Sequence, residues 1–394
     1  MKINTDAQKI KDLLERGVQN IYPTREFLEK QLKSGQRLTL YTGYDPTAPT
    51  LHIGNAITML KLRQFQELGH RVIMLIGDFT GLIGDPTDKT AARKQQTRAE
   101  VLANCANWKK QAAAILNFAG DNPVEIKYNS AWLSKLSFAD VLELSSHFTV
   151  QRMLERDMFE KRMQEEKPIY VHEFMYPIMQ GYDSVAMDVD GEIGGNDQTF
   201  NMLTGRDLMK DLKNKEKFVL TIKLLADTSG KKMGKSEGNM ITLVDSSADM
   251  FGKIMSWTDG MILNGFELCT TIPMDEVNKI MQANTNPRDL KMRLAKEIVT
   301  LYHSAKAANT AQEYFIKTFS QKEIPQELPT IKPVSYELDA VLVQAGIVAT
   351  KSMVRRVVEQ QGVKVNQKIV SDIKIKLKKG DIVQKGKRFF VKVV

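Results

Sequence analysis

The chain contains 394 residues, of which 42% are hydrophobic and 26% charged, and its formal net charge is +9. Because a domain usually spans roughly 100 to 200 residues, the chain is too long for one ordinary domain and is expected to form about two to four. No apolar run approaches the roughly 20 residues of a transmembrane helix, so we expect a soluble globular protein without a membrane partner. Cys105 and Cys269 lie outside any CxxC or Cys/His cluster, which predicts buried thiols and no disulfide or zinc site.

The first 36 residues are predicted to form a helical segment. The run MKINTDAQKIKDLLERG has the apolar spacing of an amphipathic helix and mixes acidic with basic residues. A secretory signal or an acid-poor transit peptide has a different composition. We therefore expect a cytoplasmic protein.

Residues 37–236 are predicted to form an α/β domain with a Rossmann-like, doubly wound parallel sheet. Runs with strand character alternate here with helical stretches: RLTLYTGYD, GNAITMLKLRQFQELG, RVIMLIGDF, VEIKYN, GEIGG and KFVLTIKLL. A helical insertion over about 136–187 is too long for a simple crossover, and we expect it to pack on the body or to mediate dimerisation. Ligands of such sheets bind at the carboxyl ends of the strands.

The rest of the chain is predicted to form a helical domain, a linker and a small basic domain. Residues 237–319 show helical periodicity, with Asn286 before a proline as a predicted helix cap. Three prolines mark 320–333 as an extended linker. Residues 331–394 hold 14 basic and 5 acidic residues, an excess equal to the whole net charge. A neutral body with a basic end is typical of a nucleic-acid-binding module, although a solvated lysine-rich face is the alternative.

A first motif, YTGYDPTAPTLHIGN, occupies residues 41–55. It places His52, Gly54 and Asn55 at a predicted helix start, where free N–H groups and the helix dipole favour an anion such as the phosphates of ATP. A lone histidine is more often a structural hydrogen-bonding group, so this motif alone decides little.

A second motif, DTSGKKMGKSEGN, occupies residues 227–239. Its lysines Lys232 and Lys235 lie on a predicted polar loop, where their ammonium groups suit the neutralisation of a pyrophosphate leaving group. By itself such a run is commonly a solvated turn.

Together, in this order and on a doubly wound sheet, the two motifs resemble the HIGH-type and KMSKS-type signatures of class I aminoacyl-tRNA synthetases. A third pattern, YPIMQGYD, places Tyr176, Gln180 and Asp183 on one face of a helix. An exposed polar face is the alternative, but the pattern resembles the Tyr-x-x-x-Gln-x-x-Asp motif of bacterial-type tyrosyl-tRNA synthetases. The resemblance covers nearly the whole chain.

The resemblance implies a tyrosine–tRNA ligase that forms tyrosyl-adenylate from L-tyrosine and ATP and then charges tRNA(Tyr). A magnesium ion and cationic side chains would stabilise the pyrophosphate, with no protein nucleophile and no metal site made by the protein. The implied tyrosine site comprises Tyr41, Thr80, Asp85, Asn129, Tyr176, Gln180, Asp183 and Gln198. The implied ATP site comprises Asp45, His52, Gly54, Asn55, Asp197, Lys232, Lys235 and Ser236. Transition-state contacts would come from Thr47, His52, Asn55, Lys232 and Lys235, with Lys89 and Arg93 on a mobile loop as further candidates.

Two positions depart from the family pattern. Asn55 stands where the family usually has a second histidine, and Gly234 stands where serine is common. An asparagine still offers a hydrogen bond, so we expect rearranged contacts at Asn55 and not loss of activity.

The segment 334–394 resembles a small α+β RNA-binding module first described in a ribosomal small-subunit protein. Its predicted helix carries Lys351, Arg355 and Arg356, which can share one face and are implied to bind RNA; a structural cap is the alternative. The resemblance also implies a homodimer formed through residues 136–162 of the helical insertion.

Three other functions are alternatives to the hypothesis of a tyrosine–tRNA ligase. The sister enzyme for tryptophan shares both signatures, but Asp183 with Tyr41 suits a phenol better than an indole. A non-catalytic RNA-binding paralogue is favoured only by Asn55. A nucleotidyltransferase that makes a small adenylate without RNA does not account for the basic end of the chain.

Overall fold

The computed structural model describes residues 2–85, 96–226, 240–283, 286–320, 328–386 and 389–394. Contacts between residues divide the chain into two compact units. The first contains the residues up to Ser246 together with Lys253–Ser304, and the second contains Ser247–Gly252 and Ala305–Val394. Within the described ranges, no helix has the length and apolar character needed to cross a membrane.

The first unit is built around a six-stranded sheet. Its strands are β1 Val18–Tyr22, β2 Thr39–Tyr44, β3 Arg71–Ile76, β4 Glu125–Tyr128, β5 Gly191–Gly195 and β6 Phe218–Ile222. They lie in the order β1-β6-β5-β2-β3-β4, and only β1 is antiparallel to its neighbour. The predicted doubly wound parallel sheet is confirmed, and β1 adds an edge strand within the segment predicted to be helical.

The strands at the centre are almost completely buried, as expected for a parallel sheet covered by helices on both faces. All five residues of β6 and five of the six residues of β3 are buried. The carboxyl ends of β2 to β6 consequently lie along one edge, where the following loops converge.

Helices cover the sheet and extend beyond it. Before the insertion they are α1 Ala7–Glu15, α2 Arg25–Lys33, α3 Ile53–Glu67, α4 Thr80–Ile83, α5 Arg98–Cys105, α6 Trp108–Ala112 and α7 Ser130–Leu133. The predicted insertion consists of α8 Phe138–Ser146, α9 Val150–Leu154, α10 Asp157–Gln164 and α11 Val171–Met187. Next come α12 Thr199–Lys213, α13 Ser247–Met255, α14 Ile262–Cys269, α15 Met274–Ala283 and α16 Pro287–Tyr302. Of these, α13 belongs to the second unit over Ser247–Gly252.

Local sequence signals explain several of these helices. Helix α1 is amphipathic as predicted, with Ile10, Leu13 and Leu14 buried. Asn286 caps α16, since its side chain accepts a hydrogen bond from the backbone N–H of Arg288. Helices α14 to α16, predicted to form part of a separate domain over 237–319, lie within the first unit.

The second unit has its own sheet and its own core. Its elements are α17 Ala305–Phe315, a π-helical turn Ile316–Ser320, β7 Thr330–Ile331, α18 Leu338–Gln344, α19 Lys351–Glu359, β8 Val363–Val365, β9 Lys368–Ile369, β10 Ile382–Lys385 and β11 Phe389–Val393. The sheet order is β7-β11-β10-β8-β9. Leu338, Leu342, Val354, Val358 and Val383 are among the buried side chains of its core. The predicted small α+β domain is confirmed, and β7 lies inside the predicted linker, parallel to β11.

Candidate active site

A cavity of about 360 Å³ opens in the first unit at the carboxyl ends of the parallel strands. Every predicted tyrosine-site, ATP-site or transition-state residue that the structure describes lines it: Tyr41, Asp45, Thr47, His52, Gly54, Asn55, Thr80, Asp85, Asn129, Tyr176, Gln180, Asp183, Asp197 and Gln198. The predictions at Lys89, Arg93, Lys232, Lys235 and Ser236 fall outside the described residues. One cavity therefore unites side chains from β2, α3, α4, α11 and the loops after β4 and β5.

One wall of the cavity is formed by α11, whose three predicted polar residues all face it. Tyr176 and Asp183 are buried, and Gln180 is half-buried. The Tyr176 hydroxyl donates to Asp45 Oδ2 at 2.8 Å, and Thr80 Oγ1 donates to Asp45 Oδ1 at 2.7 Å. Burial raises the pKa of Tyr176, and the Asp45 carboxylate adds to this effect, so the side chain remains a neutral hydroxyl donor.

Asp183 lies at the closed end of the cavity and is only 2% exposed. Its Oδ1 accepts a hydrogen bond from Trp132 Nε1 at 2.7 Å, and its Oδ2 accepts one from Asn129 Nδ2 at 3.2 Å. Burial raises the pKa of Asp183 well above its usual range, while these two N–H donors oppose the rise because they favour the carboxylate. The result is a buried acceptor with both oxygens fixed.

Tyr41 on β2 is the second polar group at this end and has no exposed surface. Its hydroxyl lies 2.9 Å from Ser184 Oγ and 3.4 Å from the carbonyl oxygen of Gln180. Burial, together with the carboxylates of Glu192 and Asp183, raises the pKa of Tyr41 well above its ordinary value. A neutral hydroxyl therefore stands beside a buried carboxyl group.

At a second polar region of the cavity, Asp85 Oδ2 accepts a hydrogen bond from Gln198 Nε2 at 2.6 Å. The guanidinium of Arg156 lies 3.6 Å from Asp85 Oδ1. Arg156 is buried at the start of α10 and was not predicted. This arrangement gives the cavity a negatively charged group close to the face of α11.

The N-terminus of α3 forms another part of the cavity wall. His52 and Asn55 form a reciprocal cap: His52 Nδ1 accepts from the Asn55 backbone N–H at 3.3 Å, and Asn55 Oδ1 accepts from the His52 backbone N–H at 3.1 Å. At Gly54, a Cβ atom would lie 3.0 Å from the His52 ring. The asparagine at position 55, where the family usually has histidine, thus completes the capping box of α3.

Both flanks of the second motif meet this region. Before the motif, residues 223–225 line the cavity. After it, the backbone N–H of Leu243 donates to the Leu51 carbonyl at 2.9 Å, and the N–H of Ile53 donates to the Ile241 carbonyl at 3.0 Å. The residues that border the second motif therefore lie next to the first motif, which is distant from them in sequence; the second motif itself lies outside the described residues.

Residues 33–320 match the family described as class I tRNA synthetases (W and Y), and residues 338–383 match the S4 domain. Tyrosine–tRNA ligase of Moorella thermoacetica is 43% identical over 404 residues, covering 100% of this chain and 97% of that protein. Tyrosine–tRNA ligase of Carboxydothermus hydrogenoformans is 45% identical, covering 97% of each. The chain belongs to the tyrosyl-tRNA synthetases of class I.

Solved structures agree with this family. A C-terminally truncated mitochondrial tyrosyl-tRNA synthetase of Coccidioides posadasii superimposes with a TM-score of 0.64 at 25% identity, covering 78% of this chain and 91% of that one. The corresponding protein of Aspergillus nidulans has a TM-score of 0.68 at 24% identity, covering 79% and 94%, and supports the fold. The resemblance to tyrosyl-tRNA synthetases and the expected fold class are both confirmed.

In this synthetase, two buried charges beside the cavity were not predicted. Glu192 on β5 lines the cavity, and its Oε1 accepts from Gln180 Nε2 at 2.9 Å. Lys217, just before β6, lies 2.5 Å from Glu192 Oε2 and 2.8 Å from Ser184 Oγ. Burial lowers the pKa of Lys217, whereas the Glu192 carboxylate raises it. The sequence signal was a charge in or next to each of two predicted strands, but the pairing of these charges follows only from the strand register.

The basic residues predicted to bind RNA lie in the second unit. Lys351, Arg355 and Arg356 are all exposed on α19. Lys351 forms an ion pair with Asp339 at 3.0 Å. Among the described residues of this synthetase, no group of three or more His, Cys, Asp or Glu side chains is arranged to hold a metal ion.

Proposed function

We propose that this protein is a tyrosine–tRNA ligase that forms tyrosyl-adenylate from L-tyrosine and ATP and transfers the tyrosyl group to the 3′-terminal ribose of tRNA(Tyr). The observation that carries the proposal is the buried pairing of Asp183 with Tyr41 at the closed end of the cavity. This end combines a fixed acceptor with a neutral hydroxyl, which matches a phenol that donates one hydrogen bond and accepts another.

Selection against phenylalanine follows from this chemistry. A phenyl ring would fill the same space but leave the buried Asp183 carboxylate and the Tyr41 hydroxyl without the partner they are positioned to meet. Such unpaired buried groups are costly. The sister substrate tryptophan offers one N–H donor on a wider ring and no oxygen to accept from Tyr41, so the same pair disfavours it.

The polar groups along α11 suit the α-ammonium group of tyrosine. We assign Tyr176, Gln180 and Asp85 to it, because two neutral oxygens and one carboxylate surround the middle of the cavity. Thr80 and Asn129 support these groups, since Asn129 Nδ2 donates to Thr80 Oγ1 at 3.1 Å and Thr80 donates to Asp45. Gln198 holds Asp85 and is assigned to the carboxylate end of the substrate.

ATP is assigned to the helix start at α3. Gly54 permits close approach of a flat ring or phosphate, His52 and Asn55 offer polar groups beside the free N–H groups of the helix, and Asp197 suits the ribose hydroxyls. Asp45 and Thr47 line the same cavity and are assigned to the region between the two substrates. Lys232, Lys235, Ser236, Lys89 and Arg93 keep their predicted roles at the phosphates, and magnesium enters with ATP as its phosphate complex.

The reaction requires no protein nucleophile. The protein contributes by positioning the two substrates and by stabilising the charge of the leaving pyrophosphate. A carboxylate oxygen of tyrosine attacks the α-phosphorus, the bond between that phosphorus and the bridging oxygen breaks, and pyrophosphate leaves. A ribose hydroxyl of tRNA next attacks the tyrosyl carbonyl and releases AMP. We place this activity in the cytoplasm.

Amino-acid-dependent exchange of labelled pyrophosphate into ATP tests the first step. Exchange with tyrosine, and little with phenylalanine or tryptophan, is the expected result. Asp183→Asn should abolish most tyrosine exchange, whereas Asp188→Asn, at the exposed C-terminal end of α11, should match the wild type. Exchange with none of the three amino acids would contradict the proposal and favour a non-catalytic RNA-binding protein.

The second unit is proposed to hold tRNA, together with the helices between 237 and 319. Replacing Arg355 and Arg356 with alanine should weaken tRNA binding and reduce the slope of log K against log salt by about 1 for each phosphate that these side chains neutralise. Pyrophosphate exchange should be unchanged. The control is the same double replacement at Lys30 and Lys33, exposed cations on α2; an equally large decrease in tRNA affinity there would contradict the assignment.

We also propose a homodimer formed through the helical insertion. Phe138 and Val171 are 78% and 77% exposed there, and Leu142 and Val150 are 56% and 66% exposed. Several large apolar side chains exposed on one helical insertion favour an interaction surface there. Sedimentation should give a dimer, and Phe138→Glu combined with Val171→Glu should give a monomer that still unfolds cooperatively; a wild-type monomer at micromolar concentration would refute the proposal.

A further inference from the structure

The tyrosine end of the cavity is backed by a buried polar chain that the proposed function does not use. It runs from Lys217 to Ser184 and on to the Tyr41 hydroxyl, with Nζ to Oγ at 2.8 Å and Oγ to Oη at 2.9 Å. All three side chains have no exposed surface. The ammonium group is also 2.5 Å from Glu192 Oε2, so it is held from two sides.

Where α11 packs on α12, a glycine leaves room for the hydrogen-bonded side chains of Lys217 and Ser184. A Cβ atom on Gly205 of α12 would lie 2.7 Å from Lys217 Nζ and 2.9 Å from Ser184 Oγ. Any larger residue at 205 would therefore displace either the ammonium group or the hydroxyl. Glycine at this position lets a lysine reach the rear of the substrate cavity.

The directions of the hydrogen bonds follow from the chemistry of each group. Lys217 is a donor only, so Ser184 Oγ accepts from it. Ser184 has one proton to give, and its two candidate acceptors are the Tyr41 oxygen at 2.9 Å and Glu192 Oε2 at 3.5 Å. The nearer acceptor is favoured, and Glu192 Oε2 already accepts from the ammonium group.

If Ser184 donates to Tyr41, the proton of Tyr41 is directed elsewhere. In the structure it points to the Gln180 carbonyl at 3.4 Å, a long and weak contact. The Tyr41 hydroxyl can therefore turn and donate its hydrogen bond to a better acceptor. An ionised Asp183 can accept hydrogen bonds but cannot donate them, so a bound phenol donates a hydrogen bond to Asp183 and must accept one from Tyr41.

We propose that Lys217, acting through Ser184, fixes the Tyr41 hydroxyl as a hydrogen-bond donor toward the substrate phenol. Lys217 and Ser184 are thereby positioning residues for the choice of tyrosine over phenylalanine. This inference rests on the proposed tyrosine–tRNA ligase activity and deepens its specificity.

The same ion pair orients the neighbouring amide on α11. Glu192 Oε1 accepts from Gln180 Nε2 at 2.9 Å, which assigns the amide nitrogen of Gln180 to that side and turns its carbonyl oxygen away from Glu192. A carbonyl oxygen is the atom that an α-ammonium group requires. One buried pair thus sets the donor at the phenol end and the acceptor at the ammonium end.

Ser184→Ala is the direct test, because it breaks the chain and leaves the Lys217–Glu192 pair intact. Pyrophosphate exchange is measured with tyrosine and with phenylalanine, recording KM and kcat separately. We expect the KM for tyrosine to rise about 5- to 20-fold, the range of one hydrogen bond to a buried polar group. The values for phenylalanine and the KM for ATP should stay within about twofold, so discrimination falls by the same factor as tyrosine affinity.

A second variant reaches the chain from its other end. Lys217→Met with Glu192→Gln removes both charges at once, which avoids leaving one buried ion unpaired. The double variant keeps an acceptor for Gln180 and should show the same selective loss of tyrosine affinity. It therefore tests the proposal even if Ser184→Ala does not fold. Thr204→Val is the matched control, because Thr204 is buried on the adjoining face of α12 and its hydroxyl donates to the Phe200 carbonyl of its own helix.

The outcomes separate the inference from the proposed function. Absence of exchange by the wild type with tyrosine overturns the proposed function and, with it, the inference. Wild-type exchange combined with unchanged discrimination in both variants overturns the inference alone. Equal losses for tyrosine and phenylalanine also overturn it, because they indicate a general structural role.

Discussion

The hydrogen bond from Trp132 to Asp183 offers a quantitative test of the proposed tyrosine site. Trp132→Phe removes the Nε1 donor at 2.7 Å and keeps an aromatic ring against the apolar cluster that includes Tyr41 and Leu75. A hydrogen bond to a charged buried group contributes about 1.5 to 3 kcal/mol. A loss of about 2 kcal/mol corresponds to a KM for tyrosine about 30-fold higher, since about 1.4 kcal/mol is a factor of ten.

The pH dependence of the same variant supplies an independent check. Trp132 and Asn129 are the two donors that hold the pKa of Asp183 down against its burial. Removal of Trp132 should raise that pKa further, so the acid limb of kcat/KM for tyrosine should move to higher pH. In the proposed site, the ionised form of Asp183, present above its pKa, is the one that accepts a hydrogen bond from the substrate phenol.

Steady-state pyrophosphate exchange between pH 5.5 and 8.5, about the usable range around neutrality, measures both effects. Trp108→Phe is the matched control, because Trp108 is buried and its Nε1 bonds no described residue. It should lose stability without change in KM. An unchanged KM and an unmoved acid limb in Trp132→Phe would refute the assignment of Asp183 to the phenol.

Two further predictions concern other parts of the first unit. Asn55→Ala opens the capping box with His52 and should lower the free energy of unfolding, measured in urea, by about 1 kcal/mol. The same variant should raise the KM for ATP but not the KM for tyrosine. Asn55→Asp restores an acceptor and should recover the stability. His70 has its pKa lowered to about 4 by burial and then by Arg37. In the unfolded chain, the imidazole of His70 takes up a proton near pH 6.5, so the free energy of unfolding should fall by about 2 to 3 kcal/mol as the pH drops from 6.5 to 4. Urea unfolding of His70→Asn should show a shallower fall over this pH range. The same pH dependence in both proteins would contradict the prediction.

Much of the fold was accessible from the sequence because the parallel strands are near-continuous apolar runs that alternate with helices. Five of the six strands of the main sheet were predicted as runs, and the cavity lies at their carboxyl ends as the architecture requires. The strand β1 was missed because VQNIY is a short edge strand with two exposed positions. Its pairing depends on β6, about 200 residues away along the chain.

The candidate site was predictable where a motif concentrates its residues and not where partners come from distant elements. Tyr176, Gln180 and Asp183 lie on one helical face and were found together. Trp132 reaches Asp183 across 51 positions of sequence, and no pattern in YNSAWL indicates that contact. Lys217 and Glu192 required the register of adjacent strands, which periodicity does not provide.

The glycine at 205 also constrains the order in which this cavity could have changed over time. A lysine introduced at 217 beside a larger residue at 205 would clash, and a lysine without an acid at 192 would be a buried charge without compensation. Glycine at 205 must therefore be present before the lysine, while the acid at 192 and the lysine at 217 each require the other, because either charge alone would be buried without a partner. The three positions are epistatic, so transplanting the lysine alone into a relative that lacks the other two should impair folding before it alters substrate choice.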